Sequence, residues 1–210
     1  MNTRTIIIRT LVLLVAATLA GCAPYSLIKP EPQTVGGTLS VVPGTPWNKV
    51  RLDDNEGKIE TWTLDGPVLN RLIFFEGVGD GEPLLQARSG LGGSAKRDEK
   101  PPVFRSKMNP FEVQGLLQAT IARRFQTTIV DSRNLRPIQF ADRPGFRFDT
   151  KFTGRDEVER KGVFTGSVGD GRLYGVWFFG AGSHYFDRYL PEFTRLIDSA
   201  RIMGTTAAAK

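Results

Sequence analysis

The chain has 210 residues, 40% of them hydrophobic and 24% charged, with 28 Lys and Arg against 22 Asp and Glu and a net charge of +6. That length suits one domain with its own hydrophobic core, and a modest basic excess spread along the chain argues against nucleic acid as a partner. With one cysteine and one histidine, an intrachain disulfide is excluded and a His- or Cys-rich metal site is not expected; nothing in the sequence calls for a cofactor.

Arg4 and Arg9 precede the apolar run Leu11-Val12-Leu13-Leu14-Val15-Ala16-Ala17, and Leu19-Ala20-Gly21-Cys22 follows. A basic start, an apolar stretch and small residues before a cut site describe a secretory signal peptide. About a dozen apolar residues fall short of the roughly 20 that a membrane span needs. The ending Leu-Ala-Gly-Cys resembles the lipobox of bacterial lipoproteins. That resemblance implies removal of residues 1–21 as signal peptide, by cleavage between Gly21 and Cys22, and a diacylglyceryl group on the Cys22 thiol. The first partner would then be a lipid bilayer. Ala23 stands where an aspartate often retains such proteins at the inner membrane, which implies the outer membrane, with the domain facing the periplasm.

Residues 22–36 hold three prolines and little periodicity, and read as an acylated tether. A single α+β domain is expected over 37–203. Thr38 to Val42, Trp47 to Leu52 and Ile59 to Leu64 read as strands, with Asp65-Gly66 turning the last of them into Val68 to Phe75, so that the set forms a small antiparallel meander. Residues 88–103 are rich in Gly, Ser and charge and read as a mobile loop.

A helix follows. Asn109 is placed to cap it, Pro110 to occupy its first position, and Glu112 to complete a capping box. Val113, Leu116, Leu117, Ile121 and Phe125 recur at helical spacing, so this helix should lie across a sheet. Thr127 to Asp131 and Ile138 to Ala141 read as two strands. Phe146, Phe148 and Phe152 alternate with charged residues, giving one buried and one wet face. Gly162 to Val168 and Leu173 to Phe179 flank the turn Gly169-Asp170-Gly171-Arg172. In Trp177-Phe178-Phe179 the alternation fails, which calls for helices on both sides of the sheet. Phe186, Leu190, Phe193, Ile197 and Ala200 mark a closing helix, with Pro191 expected in its first turn, and residues 204–210 read as a disordered tail.

The fold class is therefore α+β: an antiparallel sheet with amphipathic helices packed on it. The stretch from Gly145 to Met203 resembles the PsbP/Mog1-like group in the hairpin strand Leu173 to Phe179, then Tyr189-Leu190-Pro191-Glu192-Phe193 and Ile197-Asp198-Ser199-Ala200. The resemblance implies an α-β-α sandwich. It brings no catalytic residue, because proteins of that group act mostly in binding or assembly.

Chemistry is sparse. His184 lies beside Ser183 and Asp187, which allows a hydrolase reading with a carboxylate; neighbours on one turn seldom aim at each other as nucleophile and base must. Asp53-Asp54-Asn55-Glu56-Gly57 lacks calcium-loop spacing, and Gly90 to Lys96 lacks the phosphate-loop pattern. Arg123, Arg124, Arg133, Arg136, Arg143 and Arg147 are the residues to watch. Sharing a face, they would meet an anionic partner; otherwise they are the charges of a solvated sheet edge. The expectation is a non-enzymatic binding or assembly module with an envelope protein partner, against a hydrolase using His184 or a carrier of lipid or another hydrophobic ligand.

Overall fold

The computed structural model describes residues 25–50, 59–85, 100–182 and 184–203. Eight strands form the main antiparallel sheet. They are β1 (Tyr25–Ile28), β4 (Trp47–Val50), β5 (Ile59–Thr63), β6 (Asn70–Val78), β7 (Val130–Phe140), β8 (Arg143–Thr153), β9 (Glu159–Gly169) and β10 (Arg172–Ala181). Their spatial order is β1-β4-β5-β6-β10-β9-β8-β7, which leaves β1 and β7 as the edges. A second sheet of three short strands has the order β11 (Arg201–Ile202), β3 (Leu39–Val41), β2 (Gln33–Val35). Two helices complete the fold, α1 (Pro110–Phe125) and α2 (Tyr185–Asp198).

Each face of the large sheet is covered, and alternation along the strands assigns every core side chain to one cover. Ile73, Phe75, Phe148, Phe152, Phe164, Trp177 and Phe179 pack with Val113, Leu117 and Ile121 of α1. Leu72, Phe74, Val176 and Phe178 pack with Phe186, Phe193 and Leu196 of α2, together with Val35, Leu39 and Val41 of the small sheet. Trp177 and Phe179 thus face one helix and Phe178 the other, as the broken alternation requires. Rings fill the layer beneath α1: Trp177 and Phe179 centroids are 4.3 Å apart, Phe125 and Phe152 4.6 Å, Phe148 and Phe164 5.0 Å. Gly166 and Gly175 make room for Phe164, whose ring lies within 2.8 and 2.6 Å of where their Cβ atoms would stand.

The local signals at α1 and at the β9–β10 turn are realised closely. Asn109 accepts from Glu112 N at 3.0 Å while the Glu112 carboxylate accepts from Asn109 N at 2.7 Å, so both halves of the capping box are present. Asp170 and Gly171 both take positive φ, 53° and 70°, as a two-residue hairpin between right-twisted strands demands.

Elsewhere the structure corrects the expectations. Residues 25–28 and 33–35, read as part of a tether, are β1 and β2. Tyr25 to Ile28 pairs with Trp47 to Val50, and Pro30 and Pro32 fall in the connection, where a missing N–H interrupts no ladder. Thr38 to Val42 is not in the meander; β3 belongs to the second sheet, between β2 and β11. The two strands expected between 127 and 141 are one, β7, carried through a register shift between Arg133 and Arg136 with Asn134 at φ 57°. Pro191 lies inside α2, which starts six residues earlier at Tyr185. Both Pro191 and Asp187 are exposed, so the Asp187 carbonyl that loses its intrahelical donor meets water. Of the expected loop, Val103 is held in a bridge to Pro83, while residues 88–99, like the tail 204–210, lie outside the described residues.

Candidate functional site

The six arginines divide between the two faces of the sheet. Along β7 and β8, Arg133 stands opposite Asp149 and Arg136 opposite Arg147, on the side that carries α2. Helix α2 packs over β10 and β9 and stops short of the edge pair, whose eleven-residue strands extend past it. The step between helix and edge is a solvent-open groove of about 270 Å³. Phe186 and Leu190 of α2 form its apolar base, and Arg133, Arg147, Lys151 and Lys161 line it against only two carboxylates, Asp131 and Asp149.

Electrostatics inside the groove are uneven. Arg133 is ion-paired with Asp131, and that hydrogen bond raises its pKa. Lys151 reaches Glu159 at 2.9 Å, Lys161 reaches Asp187 at 3.0 Å, and Asn134 Nδ2 donates to Asp149 at 2.7 Å. Arg147 is half-buried with its guanidinium 5.8 Å from the centre of the Phe193 ring. Burial, then the Arg136 charge opposite, push its pKa down. An arginine in that state is a cation held beside an apolar base.

Arg123 and Arg124 sit in the last turn of α1, on the other face, and Arg143 pairs with Asp170 at 3.1 Å at the β7–β8 hairpin end. The six therefore do not form one surface. Arg124 instead joins three arginines that sequence reasoning missed. With Arg71, Arg155, Arg160 and Asp156 it lines a second cleft of about 290 Å³. Arg160 is 4% exposed. Its two terminal nitrogens bond the Asp156 carboxylate at 2.9 and 2.6 Å, and also Val158 O and Val68 O. Those bonds hold the Asp156 carboxyl at about 2, below the usual range. These residues come from β6, α1, the β8–β9 turn and the start of β9, and no local pattern in the chain marks their convergence.

His184 occupies the N-cap position of α2 without capping it. Its Nε2 is 3.4 Å from Arg188 Nη1 and its ring meets Tyr185 edge-on, while the Asp187 carboxylate is engaged by Lys161. Among the described residues, the imidazole thus meets a cation and a ring, and the Asp187 carboxylate of the hydrolase reading is engaged by Lys161. Among the described residues no group of three His, Cys, Asp or Glu is placed to hold a metal ion, and no helix is long and apolar enough to cross a membrane. Gly21 and Cys22, the Asp53–Gly57 turn, the Gly90–Lys96 stretch and Ser183 lie outside the described residues.

No protein-family model matches the sequence. No curated protein matches it either. By structure the chain is similar to cyanobacterial PsbP (CyanoP) from Synechocystis sp. PCC 6803, with a TM-score of 0.51 at 12% identity over 88% of this chain and 95% of that one. It has a PsbP-like α+β fold. An alignment to LpqN, a Mycobacterium tuberculosis protein described as involved in cell envelope biogenesis, has a TM-score of 0.34 at 6% identity and covers 88% of each chain; at that score it carries no argument.

Proposed function

We propose that this chain is a lipid-anchored, non-enzymatic binding module of the bacterial envelope, acylated at Cys22 and offering its α2-side groove to an acidic segment of a protein partner. The observation that carries the reading is the spacing between anchor and domain. Cys22 precedes Tyr25, the first residue of β1, by three positions, so the acylated cysteine and the sheet edge are separated by at most about 11 Å. Acylation there holds the domain against the bilayer, with no long tether between. Ala23 supports sorting to the outer membrane, on the lipoprotein resemblance. The half-buried guanidinium of Arg147, beside a base of Phe186 and Leu190 and flanked by the exposed ion pairs of Arg133, Lys151 and Lys161, suits an acidic segment with an apolar residue.

Radiolabelled palmitate tests the anchor: label is expected on the wild type and not on Cys22→Ser, and an unlabelled wild type overturns it. A photo-reactive residue in place of Arg136, used in intact cells, tests the groove. One dominant protein adduct is expected, diminished by Arg147→Glu; recovery of lipid alone overturns the protein partner.

A further inference from the structure

Resting on the groove reading above, we infer that Arg136 and Arg147 form a clamp for a single carboxylate, and that the partner segment carries an acidic residue two positions from an apolar one. Three cross-strand rows lie on the α2 side of the β7–β8 pair. Asp131 faces Lys151 in the first and Arg133 faces Asp149 in the second, so each row is neutral. Arg136 faces Arg147 in the third, and neither joins an ion pair with a described carboxylate. Directly opposed side chains leave their strands about 5 Å apart, so two guanidinium forks can converge on the two oxygens of one carboxylate.

Arg147 is the fixed half of the clamp. It is half-buried, its guanidinium is 5.8 Å from the centre of the Phe193 ring, and its Nε is buried with no hydrogen-bond partner among the described residues. Arg136, exposed on the edge strand, is the adjustable half. The carboxylates that line the groove are already engaged: Asp131 by Arg133, and Asp149 by Asn134 Nδ2 at 2.7 Å. Asp149 and Asp198 still act on Arg147 through space, so the long-range field there is close to balanced. An anion is then rewarded by short, directional bonds, whereas its desolvation cost rises with the square of its charge. That balance favours a carboxylate over a phosphate dianion.

The spacing of the segment follows from how α2 lies beside the strands. Lys161 of β9 reaches Asp187 near the start of the helix, and Arg147, which faces Thr165 four residues further along β9, reaches Phe193. The helix therefore runs along β9. From Phe193 back to Leu190 and Phe186, the apolar base, the helix rise gives about 4.5 and 10.5 Å. Two residues of extended chain advance about 6.8 Å, between those values. Side chains at i and i+2 of an extended chain also leave the same face. One can enter the clamp while the other lies on Leu190 and Phe186.

The experiment uses the detergent-solubilised full chain and follows the Leu190 methyl and Arg147 side-chain N–H signals by nuclear magnetic resonance. The probes are acetyl-glutamyl-alanyl-leucine amide and its glutaminyl and phosphoseryl counterparts. Saturable shifts at both signals are expected with the glutamyl peptide and not with the glutaminyl one. Affinity should fall about fivefold or more in Arg136→Gln, at an exposed position, and in Arg147→Lys, which keeps the charge and loses the fork. It should be unchanged in Arg105→Gln, which removes one cation outside the groove. No saturable shift with the glutamyl peptide, equal affinity in the clamp variants, an equal loss in Arg105→Gln, or tighter binding of the phosphoseryl peptide overturns the assignment. Photo-crosslinking in cells remains the separate test of the groove: a protein adduct that persists while the glutamyl peptide fails keeps the binding-module reading and removes the clamp.

Discussion

Arg136 and Arg147 stand directly opposite each other across the β7–β8 pair, two cations where a stable sheet ordinarily opposes unlike charges. The neighbouring pair, Arg133 and Asp149, follows the ordinary rule. The edge pair beside the groove thus carries a built-in repulsion. It disfavours addition of another strand, and on the proposed function it leaves a cation for an acidic partner to satisfy.

Arg136→Glu is therefore expected to act oppositely on stability and on binding. Replacing a like pair by an unlike one should stabilise by about 0.5–1 kcal/mol, or roughly 1–3 °C in Tm for a domain of this size. Photo-crosslinking to the partner from a residue elsewhere in the groove should fall. A lower Tm together with retained crosslinking would remove the case for this groove.

Glu76 predicts a pH dependence. Burial, then the nearby Glu60 charge, raise its pKa from 4.5 to about 7, with Lys49 opposing. Its Oε1 has no hydrogen-bond partner among the described residues, and its carboxylate lies over Gly36, where a Cβ would come within 1.4 Å of Oε2. Between the unfolded value and about 7 the native state holds one proton more than the unfolded state. Stability should accordingly fall as pH rises through that window and level off above it. Glu76 is partly solvated, which leaves about 1–2 kcal/mol of effect after screening. Urea denaturation at pH 5 and pH 8 should show the slope in the wild type and its loss in Glu76→Gln; an unchanged slope assigns it to another group.

Glu192 ties α2 to the β3–β4 connection. It is 4% exposed, its Oε1 accepts from Gly44 N at 2.7 Å and Thr45 N at 3.2 Å, and its Oε2 meets Arg195 at 2.7 Å. Glu192→Ala strands those two N–H groups and should cost about 2–3 kcal/mol. Amide exchange at Gly44 and Thr45 should rise ahead of exchange in β9 and β10. Protection kept at both amides would show that the connection is held by other contacts.

At α1, Asn109→Ala removes the acceptor of Glu112 N and should cost about 1 kcal/mol. Chemical denaturation measures it directly, and a loss below about 0.3 kcal/mol would show that packing of Val113 and Leu117 alone sustains the first turn.

Features with a short-range cause were readable in the chain. The Asn109 cap, the Asp170-Gly171 turn and the alternation of Phe146, Phe148 and Phe152 each depend on neighbours within a few residues. The turn Ala141-Asp142 also joins two strands at positive φ, 51° and 61°, but neither residue is glycine or asparagine, so its chemistry gave no sign. The strands β1, β2 and β11 span two to four residues, too few for a period, and owe their existence to distant partners: Arg201 pairs with Ser40, and Tyr25 with Val50.

The same division holds for function. The chain by itself carried the resemblance of Leu19-Ala20-Gly21-Cys22 to a lipobox and determined the α+β class, because such a motif is a contiguous string and amphipathic periods are local. Only the tertiary structure decided that six arginines form no single face, and that Arg124 meets Arg71, Arg155 and Arg160 in one cleft. Strand order and register carry side chains distant in sequence to the same place, and charge acts through space.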